Sequence, residues 1–320
     1  MPGGHSVLDG AASQGRHIER LFSVLFFVCL GVYFLTLLFF AIGGRRSYNP
    51  AEKPLPIVKT PEADAVAKWW VGSAVGITTV LVFVILVLSI RTGMYVQDVS
   101  AQNSVTVKLT GHQWWWEVTY PDSRADQTIF TANEIHVPVG QRIAVLTNSA
   151  DVIHSFWAPS ITGKRDLIPG YSTAFSFTVD RPGTYRGQCA EFCGLQHAHM
   201  GFSVVAESPE DFEAWRQSQL TAAKEPESAL TRSGQGVFLT HACVMCHAIS
   251  GTTAGSHVGP DLTHFASRGE IAAGLLPNNP GSLAGWILDP QRIKPGTTMP
   301  PNNLSGEDLE ALVTYLESLK

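Results

Sequence analysis

The sequence predicts a multidomain membrane protein: a hairpin of two membrane-spanning helices, then a β-sandwich or barrel, then a second soluble domain. Three observations predict it. Two runs, Leu21 to Gly43 and Trp69 to Ile90, contain no charged residue. Beyond Arg91, apolar residues alternate along short segments separated by turn signals. Near residue 207 a capped helix begins, and a polar stretch without apolar period then isolates the C-terminal region. The expected divisions are a tail over 1–20, the hairpin over 21–95, a β domain over 96–206, a helix and linker over 207–231, and a last domain over 232–320.

At about 1.5 Å per residue each uncharged run reaches about 33 Å, enough to cross a hydrocarbon core of about 30 Å. A buried helix of a soluble protein would carry a polar face, and these have none. The connecting loop holds Arg45, Arg46, Lys53, Lys59 and Lys68, whereas the tail before the first run has only Arg16 and Arg20. The loop is therefore expected on the cytoplasmic side, with the tail and everything after Arg91 outside. The tail includes Asp9 and Glu19 and no apolar core, so no cleaved signal peptide is expected. Neither run contains Asp, Glu, Lys, Arg or His, so a proton path would belong to a partner. Gly72 and Gly76 have the spacing of close helix contact, read either as packing against another subunit or as having no role. The formal net charge is −5, and no nucleic-acid partner is expected.

In the β region, SVTVKLTG places Val105, Val107 and Leu109 on one strand face, and TAFSFTV does the same for Phe175, Phe177 and Val179. Val139-Gly140 and Pro182-Gly183 punctuate the turns. Ser208, Pro209 and Asp211 read as N-cap, first-turn proline and N3 acid of a helix ending near Leu220. The stretch 221–231 then reads as a flexible tether with a span of about 18 Å, which makes encounter between its two domains intramolecular.

The segment QCAEFCGLQHAHM, residues 188–200, collects soft metal ligands: Cys189, Cys193, His197 and Met200, with His154 upstream. Thiolates, imidazoles and a thioether suit copper. A structural zinc ion on two cysteines and two histidines leaves Met200 without a role, and a Cys189–Cys193 disulfide is permitted outside the cell. Further on, Cys243-Val-Met-Cys246-His247 is the attachment motif of a c-type haem, with the histidine on iron. Met299 is the best sixth ligand, with His241, His257 and His264 as rivals. Ser305 and Asp308 cap a final helix whose Leu309, Leu312, Val313 and Leu316 share a core face. Cys29 reads as a small apolar residue of the first span.

Three stretches carry a family resemblance. DVIHSFWAPSITGKRDLIPG, PGTYRGQCAEFCGLQHAHMGF and GHQWWWEV resemble the binuclear copper (CuA) domain of cytochrome c oxidase subunit II, over about residues 95–206. The resemblance implies a cupredoxin barrel holding two coppers bridged by Cys189 and Cys193, with one imidazole each from His154 and His197. It further implies Met200 as a weak ligand to one copper and the Glu191 carbonyl as a weak ligand to the other. The Glu191 side chain would face a magnesium shared with subunit I. Trp114 would be where electrons arrive, and the next two tryptophans would pack at the copper and against a partner subunit. GPDLTH and WILDPQRIKPGTTMP resemble an all-α class I cytochrome c, which implies Met299 on iron and the Pro260 carbonyl orienting His247.

Joined, these imply the subunit of a caa-type haem–copper terminal oxidase at which electrons enter, in a bacterial inner membrane with its soluble domains periplasmic. Its partners would be subunits I and III, lipid, and a donor that is a cytochrome c or a quinol-oxidising complex. Oxygen would be reduced to water in subunit I, coupled to proton pumping. A CuA-containing nitric oxide reductase and a membrane-anchored copper-delivery protein are the alternatives. One departure stands out: many relatives carry a glutamate just before the second span, whereas here ADAVAK precedes Trp69, and neither Glu62 nor Asp64 takes over that role by position.

Overall fold

The computed structural model describes residues 5–47, 61–96 and 104–320. Helices α1 (Ser13–Ser47) and α2 (Pro61–Val96) extend both uncharged runs into polar ends. Their central apolar stretches are not buried by any of the described residues, as membrane spans require. The rings of His17 and Tyr95 lie 3.9 Å apart, joining the first turns of α1 to the last of α2. Gly72 and Gly76 face open space. Asp64 is paired with Lys68 one turn away at 2.8 Å. Lys53 and Lys59, two of the loop charges behind the orientation argument, lie outside the described residues.

The β domain is built from β1 (Ser104–His112), β2 (Trp115–Tyr120), β3 (Ile129–Ala132), β4 (Glu134–Pro138), β5 (Arg142–Ser149), β6 (His154–Trp157), β7 (Arg165–Leu167), β8 (Thr173–Thr178), β9 (Gly183–Cys189) and β10 (Gly201–Glu207). They form two five-stranded sheets, ordered β3-β2-β1-β5-β8 and β4-β10-β9-β6-β7. Of the sandwich and barrel expected, this is the sandwich. Strand β1 runs parallel to β5, aligning Val107 with Val145, so the predicted inward face meets its own kind. Val107, Leu109, Phe175, Phe177 and Val179 are all buried, and Val105 is partly so.

The tail packs on the sandwich. Ala11 and Ala12 are fully buried, Ala12 bridges Val179, and Arg16 pairs with Asp180. Small residues there let the chain lie flat on the β8 edge, donating to the Ser160 carbonyl and accepting from Asp180. The tail up to Arg16 and the sandwich therefore belong to one compact unit.

Helix α3 (Pro209–Gln219) begins as read, the Ser208 hydroxyl accepting from the Asp211 amide at 3.0 Å. Its Trp215 stacks on His136 with centroids 4.2 Å apart, and His136 lies between Glu207 (3.2 Å) and Glu134 (3.8 Å). Burial alone would lower the His136 pKa, but its two carboxylate partners outweigh burial and hold it above the usual value. A raised folded pKa means that the stabilisation is fully present below the unfolded pKa, about 6.5, and is lost as pH rises through the folded one. Thermal unfolding of the detergent-solubilised protein should therefore lose a stabilising contribution as pH rises above about 6.5 that His136→Gln never shows. A variant with an unchanged pH profile refutes it.

The last domain is helical. Its helices are α4 (Ala229–Thr240), α5 (Pro280–Leu288), α6 (Pro290–Ile293) and α7 (Gly306–Ser318), with one short hairpin, β11 (Glu270–Ile271) and β12 (Leu276–Pro277). Phe238, Leu283, Leu312, Tyr315 and Leu316 form its centre, and the Ser305 hydroxyl caps α7 at Asp308. The linker is shorter and less free than composition suggests. Ser228 and Thr231 form a capping box that starts α4 inside it, the Ala223 amide donates to Ser250, and the Thr221 carbonyl bonds His264. Stretch 221–228 is thus fastened to the helical domain.

Candidate metal and haem sites

The end of β9 and the start of β6 bring Cys189 beside His154, because Phe156 pairs with Cys189 across the ladder. His154 Nδ1 lies 3.9 Å from Cys189 Sγ, and its Nε2 lies 2.8 Å from Asp151 Oδ1. That carboxylate fixes the ring and leaves Nδ1 facing the sulfur. Gly111 makes room: a Cβ there would stand 2.7 Å from the ring. The loop after β9 then turns back so that Cys193 Sγ lies 3.7 Å from Cys189 Sγ, 3.6 Å from His197 Nδ1 and 3.8 Å from Met200 Sδ. On the other side the Glu191 carbonyl lies 3.2 Å from Cys189 Sγ.

Metal bonds of about 2.0–2.3 Å set two donors on one ion roughly 3.3–3.8 Å apart, which is the spacing found here. The donors of His154, Cys189 and Cys193 all lie within 4.8 Å of one another, and His197 stands outside that group against Cys193. That arrangement favours two ions sharing the sulfurs over a single zinc. At 3.7 Å the sulfurs are not bonded to each other, and both cysteines are free. The contact between the two sulfurs holds the Cys189 pKa far below the usual thiol range and pushes that of Cys193 up. Burial opposes and the bonds to Cys189 and Asp151 favour protonation of His154, whose pKa is raised on balance. Cys189, Cys193, His154 and Met200 are all buried; Glu191 is exposed.

In the helical domain, Cys243, Cys246, His247 and Met299 line one cavity of about 410 Å³ with a mostly apolar wall that includes Phe238, Leu283, Trp286 and Leu316. His247 Nδ1 lies 2.7 Å from the Pro260 carbonyl and donates to it, leaving Nε2 as the available ligand atom. Burial lowers the His247 pKa and keeps the ring neutral, as binding to iron requires. A Cβ on Gly259 would stand 2.7 Å from this ring. Of the four candidates for the sixth position, only Met299 lines the cavity. His241 caps α4 through Val237, His257 lies on Phe130, and His264 bonds Thr221. The residues fit a covalently held haem.

Between the two sites stands Trp114, 8% exposed, which lines the cavity and donates through Nε1 to the Cys193 carbonyl at 2.9 Å. Trp116 packs near the copper-type ligands, its ring 6.1 Å from that of His154. Trp115 lines the haem cavity and stacks on His112. Sequence reading missed Asp151, although DVIH already sets it three residues from His154. It also missed Lys294, which is 2% exposed and reaches the Trp114 carbonyl at 2.7 Å. Burial pushes the Lys294 pKa down to about 7, against a raising influence from Cys193.

A family model described as the periplasmic domain of cytochrome c oxidase subunit II matches residues 125–208, and one described as cytochrome c matches residues 232–320. The cytochrome c oxidase subunit 2 of Alkalihalophilus pseudofirmus is 33% identical over 319 residues, covering 97% of this chain and 89% of the relative. That of Bacillus sp. strain PS3 is 32% identical over 264 residues, covering 76% and 72%. The crystal structure of the periplasmic domain of subunit II of the Bradyrhizobium japonicum cytochrome oxidase is 31% identical, covering 38% of this chain and 96% of that one, with a TM-score of 0.36. Since the likeness to the Alkalihalophilus protein runs through the spans and both soluble domains alike, the chain belongs to the cytochrome c oxidase subunit 2 family, in a form that carries cytochrome c on the same polypeptide.

Proposed function

We propose that this chain receives electrons in its cytochrome c domain, passes them to its copper domain and delivers them to subunit I, where oxygen is reduced to water with proton pumping. Subunit III, surrounding lipid and an external donor, a cytochrome c or a quinol-oxidising complex, complete its partners. When bound, the haem and the CuA pair supply reversible one-electron oxidation and reduction. Cys243 and Cys246 would hold the haem, with His247 and Met299 supplying ligands to its iron and Pro260 orienting His247. Cys189, Cys193, His154, His197, Met200 and the Glu191 carbonyl would hold the copper pair, and the exposed Glu191 side chain would be the group for a magnesium shared with subunit I. The chain's own task is to keep these ligands fixed and dry, so that little rearranges when charge changes.

One observation carries the reading: Trp114 belongs to the wall of the haem cavity and hydrogen-bonds the backbone of a copper-type ligand. Trp114→Ala in the assembled oxidase should slow internal transfer by on the order of 10- to 100-fold, with both metal spectra unchanged. Laser-flash reduction reads the rate, and an unaltered rate defeats the route. Oxygen uptake by the purified complex separates an oxidase from a nitric oxide reductase. A haem c band in the purified chain argues against a copper-delivery protein.

A further inference from the structure

The turn joining β11 and β12 is unusual in its backbone. Ala272, Ala273 and Gly274 have φ of 54°, 62° and 77°, a left-handed run in which two of the residues carry side chains. Such a run persists only where its surroundings hold it. Its three carbonyls are all engaged. Ala273 accepts from the Gly201 amide at 2.9 Å and Gly274 from Arg186 Nη2 at 2.6 Å, both donors belonging to the β domain. Ala272 accepts from Lys294 Nζ at 2.9 Å.

Lys294 stands five positions before Met299 and sends its ammonium between two acceptors, the Ala272 carbonyl of its own domain and the Trp114 carbonyl of the β domain. A lysine this deeply buried is uncommon. Around it the copper-ligand loop and the Met299 loop touch directly. Gln196, between Cys193 and His197, donates to the Pro295 carbonyl at 2.8 Å, and Gly296 lies against the Trp114 ring. The rim is closed by the Arg186–Glu270 ion pair and by the Gly269 amide donating to Glu134.

We propose that Lys294 is a positioning residue for electron transfer between the two soluble domains: by tying the Met299 loop to the Trp114 backbone, it seats the cytochrome domain in one orientation over the copper loop. Arrival of the haem domain at the copper domain is then not a search on a tether. The inference rests on the proposed direction of transfer from haem to copper and adds what holds the two carriers in register.

The test uses the assembled oxidase carrying Lys294→Met, which keeps the length of the side chain and removes its donors. Two quantities are read: amide hydrogen exchange at Gly201 and Gly269, and the internal transfer rate after flash reduction. Exchange at both amides should quicken and the rate should fall by about tenfold or more, with the haem band and the copper resonance unchanged. Unchanged exchange overturns the seat, and quickened exchange with a wild-type rate overturns its role in transfer. If Lys294→Met does not assemble, Arg186→Ala opens the half-exposed rim of the same seat, and exchange at Gly201 left at the wild-type value overturns the proposal. Failure of the underlying function looks different, because the wild-type complex would then show no internal transfer at all.

Discussion

Cys193→Ser should abolish the copper pair, leaving a protein that holds its haem but does not pass electrons onward. Cys193 Sγ is the sulfur common to three contacts, with Cys189, His197 and Met200, so its loss detaches one half of the donor set from the other. A serine hydroxyl is a hard, neutral donor and does not replace a bridging thiolate. Electron paramagnetic resonance of the wild-type protein should show one unpaired electron shared by two copper nuclei. The variant should show a single-copper signal or none, with internal transfer below detection. Met200→Leu makes the contrast: Met200 meets one sulfur only, so the pair should survive with a shifted potential. A delocalised signal in the serine variant refutes the assignment.

Met299→His should lower the haem potential by on the order of 200 mV while the iron stays six-coordinate, because a second imidazole favours the ferric state more than a thioether does. Each 59 mV is about tenfold in a one-electron equilibrium, so a donor matched to the wild-type protein would reduce the variant about a thousandfold less completely. A redox titration checks the shift. The weak near-infrared band of methionine-ligated ferric haem should be present in the wild type and absent from the variant. Its absence from the wild type would reopen the sixth position to residues outside the cavity wall.

What was legible in the sequence was local. Four of the copper-type donors fall within residues 189–200, and the haem motif spans 243–247, so spacing alone displayed their chemistry. The helix starts at Ser208 and Ser305 were equally plain, since a cap and its acid are three residues apart. Long-range partners were not legible. Lys294 meets Trp114 from 180 positions away, and a single lysine in a loop reads as a solvated one. The linker was misread for a related reason. Its composition lacks an apolar period, yet hydrogen bonds at Ala223 and Thr221 suffice to fasten it, and composition does not record backbone bonds. His154 is intermediate: it lies far from the loop in sequence, so residue type offers it only as a candidate, and family likeness joins it to the loop.

The strap formed by Ala11 and Ala12 imposes a timetable on biogenesis. Arg16 finds its partner Asp180 at a separation of 164 residues, and Ala12 waits for Val179. At ribosomal speeds of about 5–20 residues per second, these early residues are exported and left unpaired for roughly 10–30 s while both spans insert and the sandwich is made. Loop closure over so long a separation is slow, so docking of the strap is expected to follow formation of the strands around Val179. An affinity handle spliced into this segment would therefore be expected to spare membrane insertion and to spoil the last step, yielding protein that is targeted correctly and finished badly.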